Sequence, residues 1–266
     1  PPIVPTAPCC LSASARLGPS VSLVWNDLSD NETGFRVERK VGAGSYSTLA
    51  TKGINVTSHS DASLAANTYT YRVIALGTPN SAPSNEVVAV MRGMEADAYV
   101  RGGTNGTLNY GGATVLEAKL NTTPPENNRE SFVRFTLTDV RTTVTSAKLR
   151  IFGNANTAAK TIAVSGVSSV TWVEGTGTGQ TATGGSITFN TKPAIGSQIT
   201  SQSVGITAGF WEFDITSYVQ AQKTAGASKI SLSFTQTTNS TNGQTSFSSK
   251  EATTAINRPL VIISSK

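Results

Sequence analysis

The stretch ESFVRFTL, residues 130–137, alternates in a way that decides the fold. Val133, Phe135 and Leu137 fall on one side of an extended chain, and Phe132, Arg134 and Thr136 on the other, because successive side chains of a strand point to opposite faces. The same period of two recurs on either side of it. AKLRIF, 147–152, turns Leu149 and Ile151 inward and Lys148, Arg150 and Phe152 outward. ADAYVRG, 96–102, turns Ala98 and Val100 inward and Tyr99 and Arg101 outward. Upstream, SVSLVWNDL (20–28) alternates Val21, Leu23 and Trp25, GFRVERK (34–40) alternates Phe35, Val37 and Arg39, and TYTYRVIAL (68–76) alternates Tyr69, Tyr71, Val73 and Ala75. Short apolar runs broken by turns such as Gly42-Ala43-Gly44, Gly111-Gly112 and Gly184-Gly185 define an all-β chain. Only residues 215–223 read as helix, with Ile215, Tyr218, Val219 and Gln222 on a weak common face.

Composition agrees. Of 266 residues 38% are hydrophobic and only 14% charged, with Ser, Thr, Gly and Asn making up much of the rest. Val, Ile and Thr suit a pleated surface. The net charge of +5 falls mostly after residue 95 and forms no clustered basic stripe, which speaks against nucleic acid. It favours an anionic polysaccharide, or it serves solubility alone. No apolar run reaches the roughly 18 residues of a membrane span, so no membrane insertion is expected. The chain starts at Pro1 rather than Met and reads as a processed or excised piece.

Residues 1–10 hold four prolines before Cys9 and read as a Pro-rich, semi-rigid arm. Residues 11–91 follow as a run of about seven short strands, the size and spacing of a β-sandwich. Trp25, the strand FRVERK and the phrase LAANTYTYRVIA (64–75) followed by SAPSNEV (81–87) resemble a fibronectin type III domain, in which Tyr69 takes the tyrosine-corner position and bonds nearby backbone. Residues 95–266 form the second domain. Its phrases ADAYVRGG, NYGG, RESFVRFTL, AKLRIF, WVEGTGTG, ITFNTKP, WEFDIT, SFSSKE and RPLVII, in this order, resemble the secreted bacterial DNRLRE-type modules, which are counted among carbohydrate-binding modules. The resemblance implies a jelly-roll-like sandwich. The architecture expected is therefore two consecutive β-sandwiches, Ig-like then jelly-roll-like, at an extracellular or cell-surface location.

Catalysis finds little support in the residues. The single histidine, His59, lies in SHSDAS among small residues, and sequence proximity to Ser58 and Asp61 is not triad geometry. The second-domain carboxylates Glu117, Glu126, Glu130, Glu174, Glu212, Asp214 and Glu251 lie in no hydrolase signature, though a glycosidase pair 5–10 Å apart would need only two of them. Asp214 or Thr216 is placed to cap the helix.

Binding is better supported. Three strands each send an arginine and an aromatic to the non-core face, and Arg offers a planar fork for carboxylate or sulfate. The candidate glycan contacts are Tyr99, Arg101, Tyr110, Phe132, Arg134, Lys148, Arg150 and Trp172, the last beside the flexible TWVEGTGTGQTATGG loop. For Arg134 and Arg150 the alternative is an internal bridge to Asp214 or Glu251. Trp211 reads as core. No cofactor is required. A structural Ca²⁺ would draw oxygen ligands from Asp97, Glu117 or Asp214.

Two readings of the whole follow. In one, the chain is a non-catalytic polysaccharide-binding pair whose first domain spaces and orients the second. In the other, it is a subunit of an extracellular fibre, sheath or surface layer. That reading joins copies into an oligomer or filament through a donated N-terminal arm and intermolecular disulfides at the adjacent Cys9 and Cys10.

Overall fold

A computed structural model describes residues 3–16, 18–121, 127–239 and 243–266. Pro1 and Pro2 of the arm, and Glu126, lie outside the described residues. The chain gathers into two compact units. The first comprises Pro1–Arg92 with Asp139–Lys148 and Ile262–Lys266, and the second comprises Gly93–Thr138 with Leu149–Val261.

The first unit opens with seven strands: β1 (Cys9–Arg16), β2 (Ser20–Asn26), β3 (Gly34–Val41), β4 (Ser47–Lys52), β5 (Ser58–Asp61), β6 (Asn67–Leu76) and β7 (Val87–Gly93). They make a sandwich of β1-β2-β5 against β7-β6-β3-β4, all neighbours antiparallel. The expected inward residues Val21, Leu23, Trp25, Phe35, Val37, Tyr71, Val73 and Ala75 are all buried. Trp25 meets Phe35 edge-on at 5.8 Å. The Tyr69 hydroxyl donates to the Ala65 carbonyl at 3.0 Å, which is the tyrosine corner. Gly34 has φ +143°, and a Cβ there would lie 2.3 Å from the Lys52 carbonyl oxygen, so no other residue fits.

The arm is not free. Pro5 and Pro8 are buried, and Pro5 packs so closely on Gly77 that a Cβ at 77 would lie 2.6 Å from its Cγ. The Asn31 amide donates to the Ile3 carbonyl at 3.1 Å. Proline rings with no backbone donor of their own have seated on their own unit, which removes the geometric reason for donating the arm to a neighbour. Cys9 and Cys10 are free thiols, and Cys10 is exposed.

The second unit draws on β8 (Ala96–Arg101), β9 (Leu108–Asn109), β10 (Val115–Ala118), β11 (Arg129–Thr136), the later part of β12 (Val144–Ala155), β13 (Lys160–Val167), β14 (Gln180–Thr181), β15 (Ile195–Val204), β16 (Gly209–Asp214), β17 (Lys229–Gln236) and β18 (Thr245–Ser248), while β19 (Leu260–Ser265) falls mostly to the first. A five-stranded sheet runs β15-β13-β17-β11-β8. Opposite it, β10 and β12 flank β18, and β16 pairs with β12. Between them, Phe234 of β17 meets Phe213 of β16 at 5.8 Å and Phe247 of β18 at 5.7 Å, a ring stack that ties one sheet to the other. The one α-helix among the described residues, α1 (Thr216–Thr224), is entered through Ile215, so neither Asp214 nor Thr216 takes the cap position the sequence suggested; Asp214, one residue earlier, accepts from the Thr216 amide at 2.9 Å.

One expectation about this sheet fails. Phe132 is not on an open face. Ala98 stands directly opposite Phe132, and both belong to a buried cluster with Ala96, Val100, Val167, Trp172 and Ile187. The segment 168–194 lies over the outer side of the sheet and supplies a second core. Asn109, 2% exposed, fastens this segment: its amide donates to the Glu174 carbonyl at 2.7 Å and to the Ile187 carbonyl at 2.9 Å. A strand read with a period of two cannot tell one buried face from two.

Candidate functional site

The eight expected glycan contacts do not converge. Phe132 and Arg134 share a side with Ala96 and Ala98, while Tyr99 and Arg101 share the other side with Val133, because directly opposed residues of an antiparallel pair face the same way. Strand β11 and strand β12 belong to different sheets, so Arg134 and Arg150 are not neighbours. Lys148 is half-buried on β12 within the first unit.

The burial of each group explains its role. Trp172 is 8% exposed and its indole N–H donates to the Ser231 hydroxyl at 3.1 Å, so it is a core ring rather than a sugar platform. The Arg134 guanidinium lies 4.8 Å from the Trp172 ring centre, donates to the Trp172 carbonyl at 2.6 Å and faces Glu95 at 3.7 Å. Arg150 is buried over the Phe210 ring at 3.3 Å, where burial lowers its pKa and Glu212 opposes the shift. Arg134 pairs internally, with Glu95 in place of Asp214 or Glu251, while Arg150 stacks on Phe210 with Glu212 as the nearby charge. Tyr99 and Tyr110 are both buried and stacked on each other at 4.4 Å, so neither ring offers a free face on the shared side.

Arg101 is different. It stands directly opposite Arg129 on β11, and Arg129 in turn exchanges both backbone hydrogen bonds with Lys119 at 2.9 Å. Three half-buried cations thus form one row across three adjacent segments. Like charges directly opposite cost stability in a sheet. Glu117 answers Arg129 at 3.0 Å, with Gln244 bridging the pair, but among the described residues no carboxylate forms an ion pair with Arg101 or Lys119. Partial burial lowers the Lys119 pKa, and the Arg129 and Arg101 charges lower it further. The Tyr110 ring, braced by Tyr99, lies 5.9 Å from the Arg101 guanidinium and supports it from one side. Glu117 is therefore part of this row rather than a cation ligand. The sequence reading found Arg101 and Tyr110 but missed Lys119 and Arg129, which meet across the 120–128 connection by register alone.

A second charged cluster has the opposite sign. One carboxylate oxygen each from Asp97, Glu174 and Glu251 lies within 4.8 Å of the others. Asp97 is 1% exposed. Its Oδ2 accepts from the Lys250 amide at 2.7 Å, and its own amide donates to Glu174 at 2.6 Å. The Lys250 ammonium sits on Glu174 at 3.1 Å and on Glu251. Burial, then the Glu251 and Glu174 charges, push the Asp97 carboxyl up to about 8, against the pull of the Lys250 amide. Burial also raises Glu174. For Lys250 burial works downward, but the hydrogen bonds to Glu251 and Glu174 outweigh it and raise its pKa. A carboxyl this deeply buried has no path to a glycosidic bond, so the perturbed group is no general acid for a bulky substrate. Of the expected cation ligands only Asp97 is in this cluster, since Asp214 is held at the start of α1.

The profile of carbohydrate-binding module family 96 matches residues 89–265. No curated protein sequence matches. Among solved structures, a Fn3-like protein from Clostridium thermocellum is 30% identical over 32% of this chain and 90% of its own, with a TM-score of 0.28. The FN1–FN3 domains of chicken CNTN1 are 11% identical over 80% and 89%, with a TM-score of 0.29. A carbohydrate-binding module described as of the β-sandwich superfamily is 12% identical over 91% and 95%, with a TM-score of 0.23. The family match covers the second domain of the sequence reading, and no helix among the described residues is long and apolar enough to cross a membrane.

Proposed function

The chain belongs to carbohydrate-binding module family 96, and from that premise we propose that it is a non-catalytic, DNRLRE-type glycan-binding piece of a larger extracellular protein, with an acidic polysaccharide as its ligand. The observation that carries the acidic preference is the row Arg101, Arg129 and Lys119, with one carboxylate among three cations. Two positive charges on adjacent segments that no carboxylate among the described residues pairs with suit a ligand whose carboxylates or sulfates repeat along a chain. The guanidinium fork accepts such a group bidentately, and the ammonium adds a point charge beside it. The fixed Tyr99–Tyr110 stack keeps Arg101 extended without competing for its donors. Single-site affinity is expected to be modest, and tethering to a larger protein would multiply it through effective concentration.

The test is affinity electrophoresis through gels carrying polygalacturonate, a sulfated galactan or a neutral β-glucan. Retardation in the two acidic gels that fades with added salt, and disappears in the Arg101→Ala/Lys119→Ala double variant, is the expected result. Equal retardation by the neutral glucan, or an unchanged double variant, would remove both the acidic preference and this site.

A further inference from the structure

A cleft of about 670 Å³ opens in the second unit between α1 and the β13–β15 pair. Its walls are Tyr218 and Gln222 of α1, Gln198 and Ile199 of β15, and small residues between them. No charged residue lines it, and none of its residues belongs to the Arg101 row or to the Asp97 cluster. The strand pair is irregular at this point. Its register shifts between Val164 and Ser165 and again between Ser165 and Val167. Such bulges bend a strand and re-aim its side chains. Gly166 sits at the second shift. A Cβ there would lie 2.8 Å from Tyr218 Cε2 and 2.9 Å from the Tyr218 hydroxyl, so the ring rests on bare backbone. Tyr218 is half-buried, and burial raises its pKa. Among the described residues its hydroxyl has no hydrogen-bond partner, whereas a phenol drawn out of water usually finds one. Gln198 makes one long contact, 3.4 Å to the Ser201 hydroxyl.

We propose that this cleft is a second sugar subsite, which takes uncharged pyranose units with the Tyr218 ring as platform and the Gln198 and Gln222 amides on the sugar hydroxyls. The proposal rests on the reading of the chain as glycan-binding. An uncharged wall gives a carboxylate or sulfate nothing to pair with. A pyranose ring has a flat side of C–H bonds, which the electron-rich face of an aromatic ring attracts. Its neighbouring hydroxyls each donate and accept, as a primary amide does through its NH₂ and its oxygen. The volume lies within the roughly 300–1,000 Å³ of small-molecule pockets. A polysaccharide carrying both charged and neutral sugars would be held at two kinds of site.

The experiment uses the full chain with ¹³C-labelled tyrosine rings, titrated with cellotetraose, xylotetraose and mannotetraose and followed by NMR. The chain has six tyrosines, and the signal missing from Tyr218→Phe identifies the one in the cleft. A saturable shift of that signal with at least one tetraose, unchanged by added salt, is expected. Binding by the variants is read as saturation transfer to the sugar protons. Tyr218→Ala should bind about tenfold more weakly, and Gln222→Ala about fivefold. Tyr218→Phe keeps the ring on Gly166 and should lose only about twofold, which separates loss of the platform from loss of the fold. No shift of the Tyr218 signal with any of the three sugars would overturn the proposal. So would Tyr218→Ala and Gln222→Ala proteins that bind as wild type does, or a shift produced by polygalacturonate fragments alone. Retardation of the wild-type protein in the polygalacturonate gel is read alongside. If it persists while the tetraoses do nothing, this cleft fails and the acidic reading stands. If it is absent while the tetraoses bind, the acidic reading fails and the cleft stands.

Discussion

The two units handle charge in opposite ways. In the first, two buried carboxylates are closed off by their own neighbours: Asp61 takes Arg39 at 2.8 Å and the Tyr71 hydroxyl at 2.8 Å, and Glu38 takes Arg36 at 2.9 Å and Arg72 at 2.7 Å. In the second, three cations share one carboxylate at the Arg101 row, and three carboxylates share one ammonium at Asp97. A domain that spaces and orients has no use for unmet charge, since every such charge costs folding energy. A domain that binds keeps charge unmet where a ligand will meet it. Spacing by the first unit and recognition by the second is the proposal that this contrast supports, because architecture alone fixes no function.

The contrast can be broken at several points. The largest effect is expected in the closed unit. Asp61→Ala strands Arg39 and the Tyr71 hydroxyl together, and urea denaturation should show a loss of about 3 kcal/mol. A loss under ~1 kcal/mol would mean the network is not closed in the sense used here. Next comes the open row. The Arg101→Ala/Lys119→Ala protein should bind an acidic glycan at least tenfold more weakly, about 1.4 kcal/mol, while unfolding at the same urea concentration as wild type. If stability fell with binding, the row would be structural.

A smaller effect is expected at Glu86, which accepts from the Tyr46 hydroxyl at 2.5 Å. That hydrogen bond is the first cause of its lowered pKa, from an ordinary 4.5. A depressed carboxyl adds stability above its unfolded pKa and loses it as pH falls through the folded value. Tyr46→Phe should therefore cost about 0.5 kcal/mol at pH 7, kept small by the partial exposure of Glu86, and the gap between the two proteins should close below pH 4. A gap that stayed constant down to pH 3 would assign the cost to packing. Smallest, and opposite in sign, is Lys119→Ala alone. Removing one of three like charges should leave the protein unchanged or firmer by a few tenths of a kcal/mol, read as the urea midpoint.

Much of this was legible before any coordinates. Alternation found the strands, and the residues it turned inward, such as Leu23, Val37, Val73 and Leu149, are buried. The tyrosine corner at Tyr69 followed from local chemistry with short reach. The binding face did not follow. Phe132 and Trp172 were read as outward because the 168–194 segment has no regular period to announce that it covers the sheet. Arg134 and Arg150 looked adjacent because their strands are consecutive in sequence, yet consecutive strands of a sandwich often belong to opposite sheets. Asp97 and Lys250 touch across 153 positions, and Asp97 and Glu174 across 77. No local pattern spans such distances, so Glu174 and Glu251 could be named as carboxylates but not as a group.

The indole of Trp172 gives the second unit an optical gauge of its own. It is clamped between Phe132, 6.5 Å away edge-on, and the Arg134 guanidinium, with its N–H held by Ser231. Two residues along the chain is Glu174. An indole in so dry and fixed a place emits at short wavelength, and a nearby guanidinium tunes that colour by the Stark effect. Any event that lifts the segment 168–194 exposes the ring to water and shifts its emission to the red, against the background of Trp25, buried in the first unit, and of the half-buried Trp211 on β16. The protein thus reports the state of its covering segment in plain fluorescence, with no label added.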